Sequence, residues 1–258
     1  MISFRKYHCF GRDFILLDNR DGAFRALQSA ETARLCAQRF GIGASGILRL
    51  DGVSKNVIHV KSFNVNGNLA ELNLMDAASV AVFAKDLGLV ENAIHVEINE
   101  QTVCCNPVSN HENMYFVNVR MTEPLLVRKV FQTFVMDYGT QFCMVPTDEV
   151  NSVDVVGRGR EISYGKRFLN GANVTFYQPH PGFLEVRHYE HQTDRETYAN
   201  GLCILGAALS HAHNNPMDQC LVRTKGGETR VSFSREEESF YNVEIQILVN
   251  AVYHGTTF

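Results

Sequence analysis

Asp76 and Cys203 each stand three residues after an asparagine, Asn73 and Asn200, in corresponding stretches of the two halves of the chain. Where helices begin at those asparagines, the carboxyl and the thiol lie one turn in. A desolvated carboxyl and a thiol can reach matched proton affinities, so they qualify as a displaced general acid and base. The competing reading is architectural. Asp76 is then a first-turn charge favoured by the helix dipole, and Cys203 a small core residue. Asn73 and Asn200 are among the best helix N-caps, and a cap at a cleft-facing tip can also hydrogen-bond a ligand. Glu190-His191 sets a carboxylate beside an imidazole. Strand neighbours point to opposite faces, so these two meet only if the chain turns there; otherwise they are independent polar residues.

Other chemistries find no support in the spacing. The seven cysteines include no C-x-x-C pair, and the histidines near them are scattered. His211 and His213, two apart on a helix, diverge rather than chelate, so no metal site is expected. Gly41-Ile42-Gly43 is too short for a dinucleotide fingerprint, and Ser45-Gly46 lacks the nucleophile-elbow pattern. The run Arg235-Glu236-Glu237-Glu238 reads as a solvated turn.

The elements that must hold these residues follow from patterning. Strands are expected at Ile2–Lys6, Phe14–Leu17, Ile47–Leu50 and Ile58–Phe63, with three or four more before Arg120. Helical spacing covers Glu31–Phe40, with Gly41 as its stop. Leu74–Leu87 reads as a buried helix closed by Gly88. In the second half, strands are expected around Val153–Val156, Val174–Tyr177, Phe183–Tyr189, Cys220–Thr224, Thr229–Phe233 and Val243–Val252, with an apolar helix at Leu202–Ala212. Each half thus offers many short strands and one helix that is apolar all round, hence buried inside a wrap of strands. Two such halves imply an internal duplication with a cleft between them; two unrelated α+β lobes fit the periodicity as well. The joint is expected near Thr122-Glu123-Pro124.

Length and composition bound the class. At 258 residues the chain holds one to two domains, by a prior of ~150 residues each. With 45% hydrophobic and 20% charged residues, collagen-like, coiled-coil and disordered classes are excluded. A net charge of −4 argues against nucleic acid or an anionic membrane as partner. No apolar run approaches the ~20 residues of a membrane span, and residues 1–14 lack the apolar core of a signal peptide. An odd cysteine count in such a chain predicts free thiols in a reducing cytoplasm.

A series of ordered motifs carries a family resemblance. Lys6-Tyr7-His8-Cys9-Phe10-Gly11-Arg12-Asp13-Phe14 is similar to K-M-H-G-L-G-N-D-F, and Phe40–Gly46 to F-G-I-G-A-D-G. Phe63–Glu71 parallels F-N-A-D-G-S-x-A-E, and Asn170–Val174 the G-T-N-V element. Arg187–Glu190 followed by Arg195–Ala199 tracks R-V-W-E-R-G-V-G-E-T-x-A, with Gly226-Gly227 and Val252–Gly255 in their places. From end to end the chain resembles the diaminopimelate epimerases. The resemblance implies an α+β fold of two pseudo-symmetric strand-rich lobes, each wrapped around a central apolar helix, at residues 1–121 and 122–258. It also implies a ligand between the lobes, its α-carboxylate facing the N-termini of both central helices. No cofactor and no metal are called for. One cysteine thiolate removes the Cα proton and a thiol on the other face returns one. A homodimer is compatible with the family's habits.

The same alignment implies that the thiols are gone. The family's E-M-C-G-N-G stands as Glu71-Leu72-Asn73-Leu74-Met75-Asp76, and its A-C-G-T-G as Ala199-Asn200-Gly201-Leu202-Cys203. A carboxamide handles no proton near neutral pH, so two-thiol epimerisation would be lost. Leu74 and Met75 make the first tip bulkier. Arg12 replaces the opening Asn, the N-P-H element near Val145-Pro146-Thr147 lacks its Asn and His, and His191 replaces the Arg that clamps a distal carboxylate. Diaminopimelate is therefore not the expected substrate. The implied substrate-binding set is Arg12, Asn64, Asn173, Glu190, His191 and Gly201. Three readings follow: a cofactor-independent isomerase-family enzyme of altered chemistry with an amino-acid-like or small carboxylate ligand; a catalytically inactive paralogue that binds a ligand or partner; and a racemase with unusual residues.

Overall fold

The computed structural model describes residues 2–25 and 27–257. They form two compact units, Met1–Thr122 with Gln246–Phe258, and Glu123–Ile245. The first contains β1 (Ile2–Cys9), β2 (Arg12–Asp18), α1 (Ser29–Cys36), β3 (Gly46–Ser54), β4 (Val57–Asn64), α2 (Leu74–Asp86), β5 (Ile94–Ile98), β6 (Gln101–His111) and β7 (Met114–Met121). The second contains β8 (Leu125–Val130), β9 (Thr133–Tyr138), β10 (Thr140–Pro146), a 3-10 turn at Val150–Ser152, α3 (Val155–Ser163), β11 (Asn173–His180) and β12 (Phe183–Glu190). It continues with β13 (Arg195–Thr197), α4 (Gly201–Asn214), β14 (Gln219–Thr224) and β15 (Gly227–Glu236). The last strand, β16 (Ser239–Thr257), contributes its earlier residues to the second unit and its later ones to the first.

Each unit is a closed ring of eight strands around one helix. In the first, β1 through β7 pair in chain order and β16 joins β7 back to β1. In the second, the order is β8, β9, β10, β11, β12, β14, β15, β16, and β16 returns to β8. Closure removes the free edges that make open sheets associate. The pairing sense repeats as well. The parallel pairs β2/β3 and β4/β5 of the first ring have counterparts in the parallel pairs β10/β11 and β12/β14 of the second. The expected duplication is thus realised strand for strand.

The central helices explain the closure. In α2 every residue from Leu74 to Ala84 is buried, and the helix touches β1, β2, β3, β5, β6 and β7. In α4 burial runs from Gly201 to Ser210, with strands from β8 to β14 around it. Such helices have no face to give to water and need a wrap of strands. No helix among the described residues is long and apolar enough to cross a membrane.

Several elements differ from the sequence expectations. Val153–Val156 is no strand: the Asp154 carboxylate accepts the Gly157 amide at 3.0 Å and starts α3 at Val155. A good N-cap outweighs the strand preference of three valines. Helix α1 stops at Cys36, short of Phe40. The following loop folds back, giving the Ile42 and Gly43 amides to the Leu35 carbonyl and the Ala44 amide to Cys36. Gly41 is needed for close approach, since a Cβ there would lie 2.1 Å from the Arg34 carbonyl oxygen. Strands β8 to β10 and β13 were not anticipated. Residues 246–257, expected with the second lobe, complete the first ring, where β1 and β7 would otherwise be open edges.

Candidate functional site

Both central helices start on asparagine. Asn73 has extended backbone, and its Oδ1 accepts the Met75 amide at 3.0 Å. Asn200 does the same for the Cys203 amide at 3.2 Å. Both side chains are buried. The Asn73 Nδ2 has no hydrogen-bond partner among the described residues. Each tip therefore combines an amide-rich helix N-terminus, which favours an anion, with a carboxamide that is partly engaged in holding the helix start.

In the first unit the residue one turn in is charged. Asp76 is wholly buried, accepts the Ser62 hydroxyl at 3.0 Å, and faces the Arg12 guanidinium at 3.6 Å. The chain delivers Arg12 by a two-residue hairpin: Phe10 and Gly11 both take positive φ, 48° and 81°, and Cys9 pairs with Arg12 across the turn. Positive φ at both central positions suits the right-handed strand twist of a tight hairpin. The guanidinium also lies over the Phe14 ring. Beneath this pair, Cys9 Sγ sits 3.2 Å from the Ser79 hydroxyl, and burial pushes its thiol up to about 12.

The second unit offers a different set. Cys203 is buried, and desolvation lifts its thiol to about 12, partly offset by a hydrogen bond with the Thr175 hydroxyl. It is a thiol, not a thiolate, at neutral pH. Thr175 Oγ1 also lies 3.3 Å from His188 Nδ1. Burial lowers His188 to about 3, so the ring is neutral. Asp76 and Cys203 thus occupy like positions in like barrels, the one beside a guanidinium and the other in a neutral polar setting.

The remaining expected residues have structural partners. Asn64 Oδ1 accepts the amides of Asn66 and Asn68 at 2.9 and 3.1 Å, closing the turn after β4. Asn173 Oδ1 accepts the His191 amide at 3.0 Å. The chain turns at His191, yet the two neighbours are directed apart: His191 Nδ1 meets the Ser163 hydroxyl at 2.9 Å, and Glu190 accepts from Thr193 at 2.9 Å. Gly171 lets this corner pack, with φ +77° and no room for a Cβ against the His191 ring. Gly201 is buried as the first residue of α4. His188, Thr175 and Thr197 escaped the sequence reading. The signal was there: His188 continues the inward alternation of Leu184 and Val186, where an apolar residue is the ordinary choice.

Among the described residues no group of three or more His, Cys, Asp or Glu side chains is arranged to hold a metal ion, and the seven cysteines form no disulfide. No family model matches the chain. It is 25% identical to a diaminopimelate epimerase of Flavobacterium psychrophilum, over 97% of this chain and 98% of that one. It is 27% identical to one of Methanocella arvoryzae, over 97% and 99%. Among solved structures it is similar to a phenazine biosynthesis protein of the PhzF family from Bacillus anthracis (TM-score 0.73, 12% identity, 100% of this chain and 99% of that one). A chain described as a probable proline racemase from Agrobacterium radiobacter K84 gives a TM-score of 0.69 at 12% identity, over 100% and 93%. A hydroxyproline epimerase from Agrobacterium vitis, solved with trans-4-hydroxy-L-proline, gives 0.64 at 13%, over 98% and 91%. The fold is the one these solved structures share, and the likeness to the diaminopimelate epimerases spans nearly the whole chain.

Proposed function

We propose that this chain, similar to diaminopimelate epimerases along nearly its whole length, is an isomerase-family protein that binds an amino-acid-like or small carboxylate ligand at a central-helix N-terminus without two-thiol chemistry. In this reading Asn73 and Asn200 stand where those epimerases carry their thiols. The observation that carries the reading is the engagement of both carboxamide oxygens by the helix amides, at 3.0 and 3.2 Å. A carboxamide neither takes nor gives a proton near neutral pH. The helix tips still favour a carboxylate through their free amides and dipoles. Arg12, beside the first tip, adds a guanidinium suited to the same group. Diaminopimelate fits poorly, because His191 stands where a distal clamp would be arginine and is occupied with Ser163.

The alternative is a ligand-binding protein without turnover. It is favoured by the state of the two nearest proton-handling groups: Asp76 is tied to Arg12 and Ser62, and Cys203 is a buried thiol. Incubation with a panel of amino acids and small carboxylates in D₂O, followed by proton NMR, separates the readings. Cα–H exchange in any member supports a proton-transfer enzyme. Saturable binding with no exchange supports the alternative. Neither binding nor exchange across the panel refutes both.

A further inference from the structure

The second barrel carries a polar row on the face toward its central helix that the first barrel lacks. Thr175 of β11 pairs with His188 of β12, and His188 pairs with Thr197 of β13. Residues directly opposed in antiparallel ladders put their side chains on one face, with Cβ atoms about 4.5–5.5 Å apart. That face looks onto α4: the alternate residues Val174, Phe176 and Tyr189 pack with Val155 of α3 on the other side, and β11 and β12 both lie against α4. Thr175 and His188 are fully buried. His188 uses Nδ1 toward Thr175, at 3.3 Å. Its Nε2 has no hydrogen-bond partner among the described residues, and neither has the buried Thr197 hydroxyl. The corresponding row in the first barrel is Leu48, Ser62 and Ala70. There the single hydroxyl is satisfied by Asp76 at 3.0 Å.

The architecture therefore does not require a polar row at this place. Buried polar atoms are almost always partnered, because leaving one unmet is unfavourable. Here two unmet atoms lie on one face of neighbouring strands. We infer that His188 Nε2 and Thr197 Oγ1 form a buried site for one neutral hydrogen-bonding group, supplied by a bound water or by the hydroxyl or amide of a small ligand. A neutral group is called for because the imidazole is itself neutral and taking an ion out of water into this buried place is costly. Once filled, the site completes an unbroken run of hydrogen-bonding groups from Thr175 through His188 to Thr197. The inference is independent of the reading of the helix tips.

The test uses the full chain with ¹⁵N-labelled histidine. Thr197→Val keeps the shape and removes one partner of the bound group. It should move the His188 ring-nitrogen resonances and lower the thermal midpoint by about 2–4 °C, while Thr197→Ser, which keeps the hydroxyl, should leave the resonances near wild type. An unmoved ring with an unchanged or raised midpoint in Thr197→Val overturns the inference, because the hydroxyl was then simply an orphan. Acetamide titrated into the wild type identifies the source. A saturable shift of Nε2 that is absent in Thr197→Val assigns the site to a ligand group. No shift with acetamide, together with the Thr197→Val effects, assigns it to resident water.

Discussion

Removing the Arg12 guanidinium should destabilise the first barrel far more than an ordinary surface substitution. At 3.6 Å, two opposite charges in an effective dielectric near 20 attract by about 5 kcal/mol. Arg12→Leu forfeits that attraction and leaves the Asp76 carboxylate buried, with 1% of its side chain exposed. The Ser62 hydroxyl and the α2 dipole remain to hold it, contributing roughly 2–3 kcal/mol together. Breaking a buried pair by removing one partner costs about 3–5 kcal/mol in general. The remaining hydroxyl and dipole place this case at the lower end, near 3 kcal/mol. Thermal unfolding followed by circular dichroism should then show a midpoint lowered by roughly 6–12 °C. Asp76→Asn in the Arg12→Leu background removes the stranded charge, so the double variant should recover most of the loss. A loss below about 1 kcal/mol for Arg12→Leu, or strictly additive single effects, would refute the account of Asp76 as a carboxylate held by its guanidinium.

Other expectations concern separate parts of the molecule. The folded protein keeps His188 neutral, with its proton affinity lowered by burial from the usual 6.5 to about 3. Between those pH values the unfolded chain binds a proton the folded one does not, so stability is complete above pH 6.5 and falls as pH drops. From pH 7 to 5 the wild type should lose about 2 kcal/mol more than His188→Leu in urea unfolding; parallel pH profiles would contradict this. Asp154→Ala removes the cap that starts α3 and should lower stability by about 1 kcal/mol, with Asp154→Ser close to wild type. Gly171→Ala places a methyl 2.1 Å from the His191 ring at φ +77°; a loss of at least about 2 kcal/mol is expected from strain and overpacking. Under brief native iodoacetamide labelling read by mass spectrometry, half-buried Cys104 should react ahead of fully buried Cys9 and Cys203. The reverse order would show that the central helices are more open than described.

Much of the fold is legible because α2 and α4 are apolar on every side, which leaves only a wrap of strands as a solution, and because Asn73 and Asn200 mark their starts. The ends of elements were set by local bonds that patterning does not carry. The Asp154 cap converts a valine-rich stretch into a helix, and the loop after Cys36 folds back to use the last carbonyls of α1. Strands β8 and β9 alternate buried and exposed residues, whereas β10 buries Phe142 to Val145 in a row, so the three share no single pattern. The helix-tip asparagines could be placed from the sequence, but the partners of Asp76 and Cys203 could not. Ser62, Arg12 and Thr175 approach them from other strands, and pairing register across a ring is invisible in one chain. Asn64 and Asn173 illustrate the opposite case: polar residues expected to meet a ligand direct their oxygens to backbone amides of nearby turns.

The closing of the first ring by β16 bears on the order in which the chain acquires its structure during synthesis. Residue 2 pairs with residue 257, so the barrel begun first on the ribosome is completed last. The second barrel needs only a contiguous segment, 123–245, and can close while the final strand is still being made. Until that strand arrives, β1 and β7 present bare edges to any other nascent chain, the situation in which strands pair with the wrong partner. Residues 1–122 expressed alone should accordingly aggregate, and a peptide spanning 239–257 supplied in trans should suppress it.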